Sequence, residues 1–396
     1  MKNILFITWD GPQTTYMEGL FMPIFSAIQL KSDFKFHIVQ FTWGTAERIE
    51  LTRQKANELE IKYTARPIYR KPVASIGSFY SFYKGIGFLK QYIKANGINI
   101  VMPRSTMPAI MVNRLKKVNF KLLFDADGLP IEERVDFSGL STASRSYQFF
   151  KKEERKILLS ADAVITRSEK AIQIHLGTLN HKNQDKFSVV LNGRDIKFFK
   201  SNTSEGKTLR NDLKIGSNAK VFVYCGSLGP QYGWDAMIAI FQKYSMKNAD
   251  ARFLILTGNT DFANKHLPKH LQNGVLVFKV PFDKVPLYLN IADVAFAIRE
   301  PKFSMQGVAP IKLGEYLLMG IPTIASAGIG DTEELLKEVP NCFLYNHERA
   351  DRINDSVDFI ENLKGVNHEA IRSTGVRYFS IEKSTESYLN VLSHLI

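Results

Sequence analysis

Residues 299–331, REPKFSMQGVAPIKLGEYLLMGIPTIASAGIGD, carry the pattern from which the rest of the chain is read. Pro310-Ile311 introduces Lys312-Leu313-Gly314-Glu315-Tyr316-Leu317-Leu318-Met319, and Gly320-Ile321-Pro322 stops it. Proline suits the first turn of a helix, where its missing N–H would have no partner, and Gly and Pro beyond the last turn end one. The short apolar run at 323–325 then reads as a buried strand. Lys312 and Glu315, three apart, fall on neighbouring positions at the helix start. Free backbone donors and a lysine charge there suit phosphate, and a carboxylate suits a pair of sugar hydroxyls. The same spacing also suits an ordinary surface ion pair.

Outward from this segment, apolar runs bounded by turn residues recur at 4–8, 36–41, 98–102, 121–124, 163–166 and 188–191, with helix-length stretches such as 17–30, 79–94 and 147–160 among them. A polar stretch at 200–218 follows Asn192-Gly193, and the alternation restarts at 221–224, 253–257, 275–280, 295–298 and 323–325. Such alternation predicts two α/β domains, each a parallel sheet covered by helices, joined near residue 200. In open parallel sheets ligands bind beyond the carboxyl ends of the strands. Those positions hold Trp9-Asp10-Gly11-Pro12-Gln13, Arg104-Ser105, Asp125-Ala126-Asp127-Gly128, Gly226-Ser227-Leu228-Gly229 and Gly258-Asn259. A glycine there lets a ligand approach the backbone, although strand-to-helix turns also use glycine for geometry alone.

With 45% hydrophobic and 23% charged residues among 396, the composition is that of a globular protein and excludes disorder, collagen and coiled coil. Two cysteines, Cys225 and Cys342, provide no disulfide framework and point to a reducing compartment, the cytoplasm. The N-terminus reads as a first buried strand rather than a secretion signal, and no run of about twenty apolar residues would span a bilayer. The net charge of +13 is uneven: residues 1–198 hold 30 Lys and Arg against 18 Asp and Glu, the remainder 22 against 21. A field of that sign attracts nucleic acid, acidic lipid headgroups or phosphorylated small molecules. No nucleic-acid recognition motif is present, so nucleic acid is not an expected partner. The aromatics and three lysines of 79–94 suit a membrane interface holding an anionic, lipid-linked acceptor, or equally a core helix whose lysines face water.

The segment at 310–322 resembles the donor-nucleotide signature of the retaining glycosyltransferases of family 4, in which Pro-x-Lys-Leu-x-Glu-Tyr-Leu-x-x-Gly-x-Pro is common. Four further stretches resemble that family in its order. Arg104-Ser105, Phe124 to Leu129 and Glu132-Glu133-Arg134 are similar to the Asp-x-Arg-Gly region of its bacterial polysaccharide enzymes. Ala161 to Glu169 is similar to its strand-to-Ser-Glu element. Asn192-Gly193-Arg194-Asp195 with Phe198 or Phe199 is similar to the turn before its second domain, and Tyr224 to Leu228 with Gly233 to its phosphate loop.

The resemblance implies a GT-B fold: two facing Rossmann-like domains with parallel sheets and an interdomain cleft. Residues 1–198 would form the acceptor-binding domain, with a helix at 378–396 packing back on it, and 199–377 the donor-binding domain. A hinge is expected near 192–201. Glu315 is expected on the ribose of the donor. Lys312, Arg299, Ser227 and the amides of the Gly226 and Gly314 turns would serve the diphosphate, and loops at Gly258, Val280 and Pro281 the base. Gly11 and Asn192 complete the expected donor contacts, and Arg104, Asp125 and Asp127 are the expected catalytic group. The chain departs from the family where Ser227 and Tyr232 replace the loop's Arg and Lys, where Gly307 replaces an earlier Glu, and where Asp127 replaces His or Arg.

The activity implied is transfer of a sugar from a nucleotide-sugar donor to a saccharide or polyprenyl-linked acceptor in bacterial surface polysaccharide synthesis. It would proceed with retention, without a metal or other cofactor, in the cytoplasm or at the inner face of the cell membrane. A nucleotide-sugar epimerase of the same fold, or a catalytically inactive relative, is the alternative. Asp125-Ala126-Asp127 also spells the Asp-x-Asp of the other glycosyltransferase fold, in which two carboxylates hold a divalent metal.

Overall fold

The computed structural model describes residues 1–11, 16–71 and 73–395; Pro12 and Gln13 of the first loop lie outside them. The chain divides into two compact units, one of Met1–Gly193 with Ile381–Ile396, the other of Arg194–Ser380.

The first unit is built on β1 (Lys2–Asp10), β2 (Phe34–Thr42), β3 (Lys62–Pro67), β4 (Ile98–Pro103), β5 (Lys121–Asp125), β6 (Ala163–Thr166) and β7 (Phe187–Val189), in the order β3-β2-β1-β4-β5-β6-β7. All pairings are parallel, and β1 pairs with β2 from Lys2 opposite Phe34 to Asp10 opposite Thr42. Parallel strands covered on both faces need near-continuous apolar sequence, and Ile4, Leu5, Phe6 and Ile7 are accordingly inaccessible to solvent. The helix Ala74–Ala95 lays Phe82, Leu89, Tyr92 and Ile93 into the core. The last helix, Ile381–Ser393, packs on the helix Met22–Lys31, where Tyr388 meets Phe25 edge-on with 6.3 Å between ring centres.

The second unit repeats the winding with β8 (Val221–Cys225), β9 (Arg252–Leu256), β10 (Val275–Phe278), β11 (Val294–Ala297), β12 (Thr323–Ser326) and β13 (Phe343–Tyr345), in the order β10-β9-β8-β11-β12-β13. In each sheet the strand order reverses beside the first strand, between β1 and β4 and between β8 and β11. A crevice opens at such a switch point beyond the carboxyl ends of the strands. The first loop positions at those ends are Gly11 and Arg104 in one unit and Gly226 and Ile298 in the other, with Arg299 next after Ile298.

The crossings between units fall at Gly193 and Ile381 rather than at 198 and 378. Arg194 belongs with the second unit because its N–H donates to the Phe379 carbonyl at 2.7 Å. Gly193 belongs with the first, donating to Ser384 Oγ at 3.3 Å. The run-based reading omits β3 and β13, and both are sheet edges. An edge strand is covered less, so Lys62–Pro67 is half-buried to exposed along its whole length and shows no continuous apolar run.

Candidate functional site

In the first unit, Arg104 follows β4, Asp125 ends β5 and Asp127 lies two residues beyond it. The structure brings all three together. Asp125 is fully buried: its Oδ2 accepts from Arg104 at 2.8 Å and from Arg167 at 2.7 Å, and its Oδ1 accepts the Asp127 N–H at 3.2 Å. Arg104 also pairs with the Asp127 carboxylate and rests on the Phe21 ring, 4.5 Å from its centre. Burial pulls the Arg104 guanidinium down, but the charges of Asp127 and Asp125 outweigh it and keep the group protonated. Asp127 has a φ of 54°, left-handed backbone that a residue with a side chain rarely adopts, and its two bonds hold it there. Desolvation and the neighbouring Asp125 charge raise its carboxyl to about 6 against the pull of Arg104.

This pair does not fit a divalent cation. Asp125 has no exposed surface and both of its oxygens are engaged, so only Asp127, with a third of its side chain exposed, faces solvent. Among the described residues no group of three or more His, Cys, Asp or Glu is arranged to hold a metal.

The cluster has two members that the sequence reading did not single out. Arg167, 3% exposed, donates to Asp125 and to the Val190 carbonyl, and Tyr388 from the last helix hydrogen-bonds Arg167. Arg167 is the first residue after β6, so the rule that selected Arg104 would have found it; no local pattern announces Tyr388. Gly11 lies after β1, where a Cβ would come within 2.8 Å of the Trp43 ring; this close approach explains its identity without a ligand. Asn192 is buried in the same unit, just before the crossing.

In the second unit the helix Ile311–Leu318 begins after Pro310. Glu315 is fully buried, and each oxygen takes a cation: Oε2 accepts from Lys312 Nζ at 2.7 Å and Oε1 from Arg194 Nε at 2.9 Å. Burial alone would raise the Glu315 carboxyl; Lys312 and Arg194 outweigh it and leave it below the usual carboxylate range. The Lys312 ammonium moves the other way and is raised, its burial more than offset by the neighbouring Cys225 and Glu315. The Cys225 thiol, pushed up by burial, hydrogen-bonds Lys312, and the Cys225 N–H donates to Tyr316 Oη at 2.8 Å. The helix start is thereby fixed to the carboxyl end of β8, one residue before Gly226.

Three expectations change here. Glu315 presents no open carboxylate for a ribose; it forms the centre of an Arg194–Glu315–Lys312 triad. The Gly226 N–H is not free for phosphate, since it donates to the Leu256 carbonyl at 2.9 Å. Gly314 donates to the Pro310 carbonyl, and a Cβ on it would lie 2.7 Å from the Phe379 ring, so its role is close packing of this helix against the helix His368–Phe379. Ser227 is exposed beside β8. Arg299, after β11, lies over the Tyr232 ring at 4.9 Å and reaches Met305 Sδ at 3.4 Å. The tyrosine standing in for a loop lysine therefore carries a cation of its own. Gly258 and Val280 follow β9 and β10; Gly258 is exposed, with open space where a Cβ would sit.

Residues 205–374, most of the second unit, match the family described as Glycosyl transferases group 1. Solved structures match the whole chain. HepE of Anabaena in complex with UDP is 16% identical with a TM-score of 0.69, covering 100% of both chains. Sucrose-phosphate synthase from Thermosynechococcus elongatus is 14% identical with a TM-score of 0.72, covering 100% of this chain and 99% of that one. The lipopolysaccharide outer core galactosyltransferase WaaB, in its apo form, is 16% identical with a TM-score of 0.66, covering 100% of both. No curated protein matches the sequence. The two wound sheets are thus those of the GT-B fold. The group 1 match falls within the second unit.

Proposed function

We propose that this protein is a glycosyltransferase that moves a sugar from a nucleoside-diphosphate donor, bound by the second unit, to a saccharide or lipid-linked acceptor of a bacterial surface polysaccharide. It acts with retention, without a metal, in the cytoplasm at the inner face of the membrane. The observation that carries the donor assignment is the buried Arg194–Glu315–Lys312 triad at a helix start inside the group 1 region. HepE structures with UDP and UDP-glucose, and WaaB as a galactosyltransferase of lipopolysaccharide, support a nucleotide-sugar donor and a glycan acceptor.

As the glycosidic bond to the donor breaks, the leaving diphosphate gains negative charge and the anomeric carbon becomes cationic, so the protein must stabilise both. Lys312, a third exposed, and Arg299 are the cations for the diphosphate, and the exposed Ser227 hydroxyl after β8 adds a donor. When Lys312 turns from Glu315 Oε2 to a phosphate oxygen, one carboxylate oxygen is released for a ribose hydroxyl in the same movement. The departing phosphate takes the acceptor proton, and Asp127, held by Arg104, orients the acceptor hydroxyl or the donor sugar.

The test is thermal unfolding with UDP, GDP, ADP and CDP and their sugar conjugates, with and without chelator. A ligand at about a hundred times its Kd adds about 2.7 kcal/mol to native stability. A chelator-insensitive rise with one nucleotide is expected. A rise that needs metal refutes metal independence, and no rise with any nucleotide refutes the donor assignment. Epimerised sugar nucleotide formed without acceptor would favour the epimerase reading.

A further inference from the structure

The positive excess of the first 198 residues has one origin. From residue 61 to residue 124 the chain contains twelve Lys and Arg and not one Asp or Glu, while the rest of that span holds equal numbers of each sign. At the centre of this stretch lies the helix Ala74–Ala95, and its burial is unusual. One face, with Phe82, Leu89, Tyr92 and Ile93, is core. The opposite face should be polar, but at its N-terminal end Ile76, Phe79, Tyr80 and Tyr83 are 60%, 63%, 48% and 55% exposed, preceded by Tyr69 and Val73 at 49% and 56%. Spacings of three and four put these helical residues on one stripe. The stripe is contiguous: Phe79 and Tyr83 have ring centres 4.7 Å apart, Tyr69 and Tyr80 5.6 Å. Single exposed apolar residues are ordinary on a protein surface, whereas a contiguous patch of this kind marks a contact.

Cations stand among the rings. Lys84 Nζ lies over Tyr80 at 4.6 Å, Arg70 lies over Trp43 at 4.9 Å, and Lys71 is exposed beside them. Aromatic side chains with Lys and Arg around them match a bilayer surface, where rings enter the headgroup boundary and the cations meet lipid phosphates. No described helix is long and apolar enough to cross a membrane, so the arrangement suits lying on one. We infer that the outer face of Ala74–Ala95, from Tyr69 to Lys84, docks the protein on an anionic lipid bilayer. The inference extends the proposal of a lipid-linked acceptor, which such docking would bring within reach.

The test is co-sedimentation of the full chain with phosphatidylcholine vesicles carrying about 30 mol% phosphatidylglycerol, against phosphatidylcholine alone. Binding should be at least about tenfold stronger to the anionic vesicles and weaken with salt. Phe79→Ser with Tyr83→Ser should lower it roughly tenfold through lost insertion, and Lys71→Glu with Lys84→Glu should remove the preference for anionic lipid. All four residues are exposed, so melting temperature and the UDP-induced thermal shift should match the wild type. Those two readouts separate a failure of docking from a failure of the donor assignment. Absence of vesicle binding, equal binding to both vesicle types, or binding unaffected by the serine pair overturns the inference. So does self-association without lipid that the same serine pair abolishes, which would assign the patch to a second copy of the chain.

Discussion

Glu315→Ala removes the centre of the triad, and its effect on stability can be worked from the contacts. The carboxylate is inaccessible and its partner Arg194 is 6% exposed, so the variant removes the Glu315 charge from beside a buried guanidinium. Breaking a buried ion pair from one side costs about 3–5 kcal/mol. Lys312 adds little, because a side chain that is 32% exposed can turn its ammonium to water. For a domain of this size each kcal/mol moves the melting temperature by about 2–4 °C, giving a fall of roughly 6–20 °C in the transition of the second unit. Differential scanning calorimetry near neutral pH reads it directly. Glu315→Gln keeps the shape and one acceptor oxygen, so it should fall in between. The pH dependence supplies a second check. Because the folded carboxyl lies below its unfolded value, the triad contributes fully above the ordinary carboxylate range and is lost as pH falls through the lowered folded value. The gap between wild type and Glu315→Ala should therefore narrow on acidification. A fall smaller than about 2 °C at neutral pH, or a gap that stays constant in acid, refutes the buried triad.

Gly314→Ala places a Cβ against the buried Phe379 ring and should destabilise the second unit by about 1–3 kcal/mol; unchanged UDP affinity per folded molecule would separate packing from a donor contact. Arg167→Met strips Asp125 and the Val190 carbonyl of a buried donor and should cost about 3 kcal/mol. Calorimetry should place that loss in the first unit, and a loss in the second would contradict the assignment. Asp127, whose carboxyl is raised to about 6, should give wild-type turnover a step near that pH, which Asp127→Asn abolishes. A raised folded value also means that wild-type stability declines between the unfolded value and about 6 as pH rises. Denaturant titrations across that range should show the slope diminished in Asp127→Asn.

The central strands of both sheets were legible because strands buried on two faces must be almost wholly apolar, as Ile4 to Ile7 and Val221 to Tyr224 are. The half-covered edges β3 and β13 lack that constraint and went unseen. The helix at 311–318 was legible from Pro310 and Gly320, and with it the pairing of Lys312 with Glu315. Arg194 was not, since it lies 121 positions from Glu315 and only the fold joins them. Gly314 shows the complementary error: a glycine at a helix start reads as a ligand-facing amide until the neighbouring aromatic ring comes into view.

The return of the chain at Ile381 has a consequence for how the molecule is made. The whole second unit is, in effect, an insertion between the body of the first unit and its last helix. Synthesis runs from the N-terminus, and domains tend to fold as they emerge. The first unit, begun earliest, nonetheless waits longest: Tyr388 cannot reach Arg167 or Phe25 until nearly all of the 396 residues have been polymerised. The second unit has its full sequence sooner and is free to mature while its predecessor is still incomplete. A nascent chain arrested before residue 381 should therefore carry a protease-resistant second unit attached to a protease-sensitive first one.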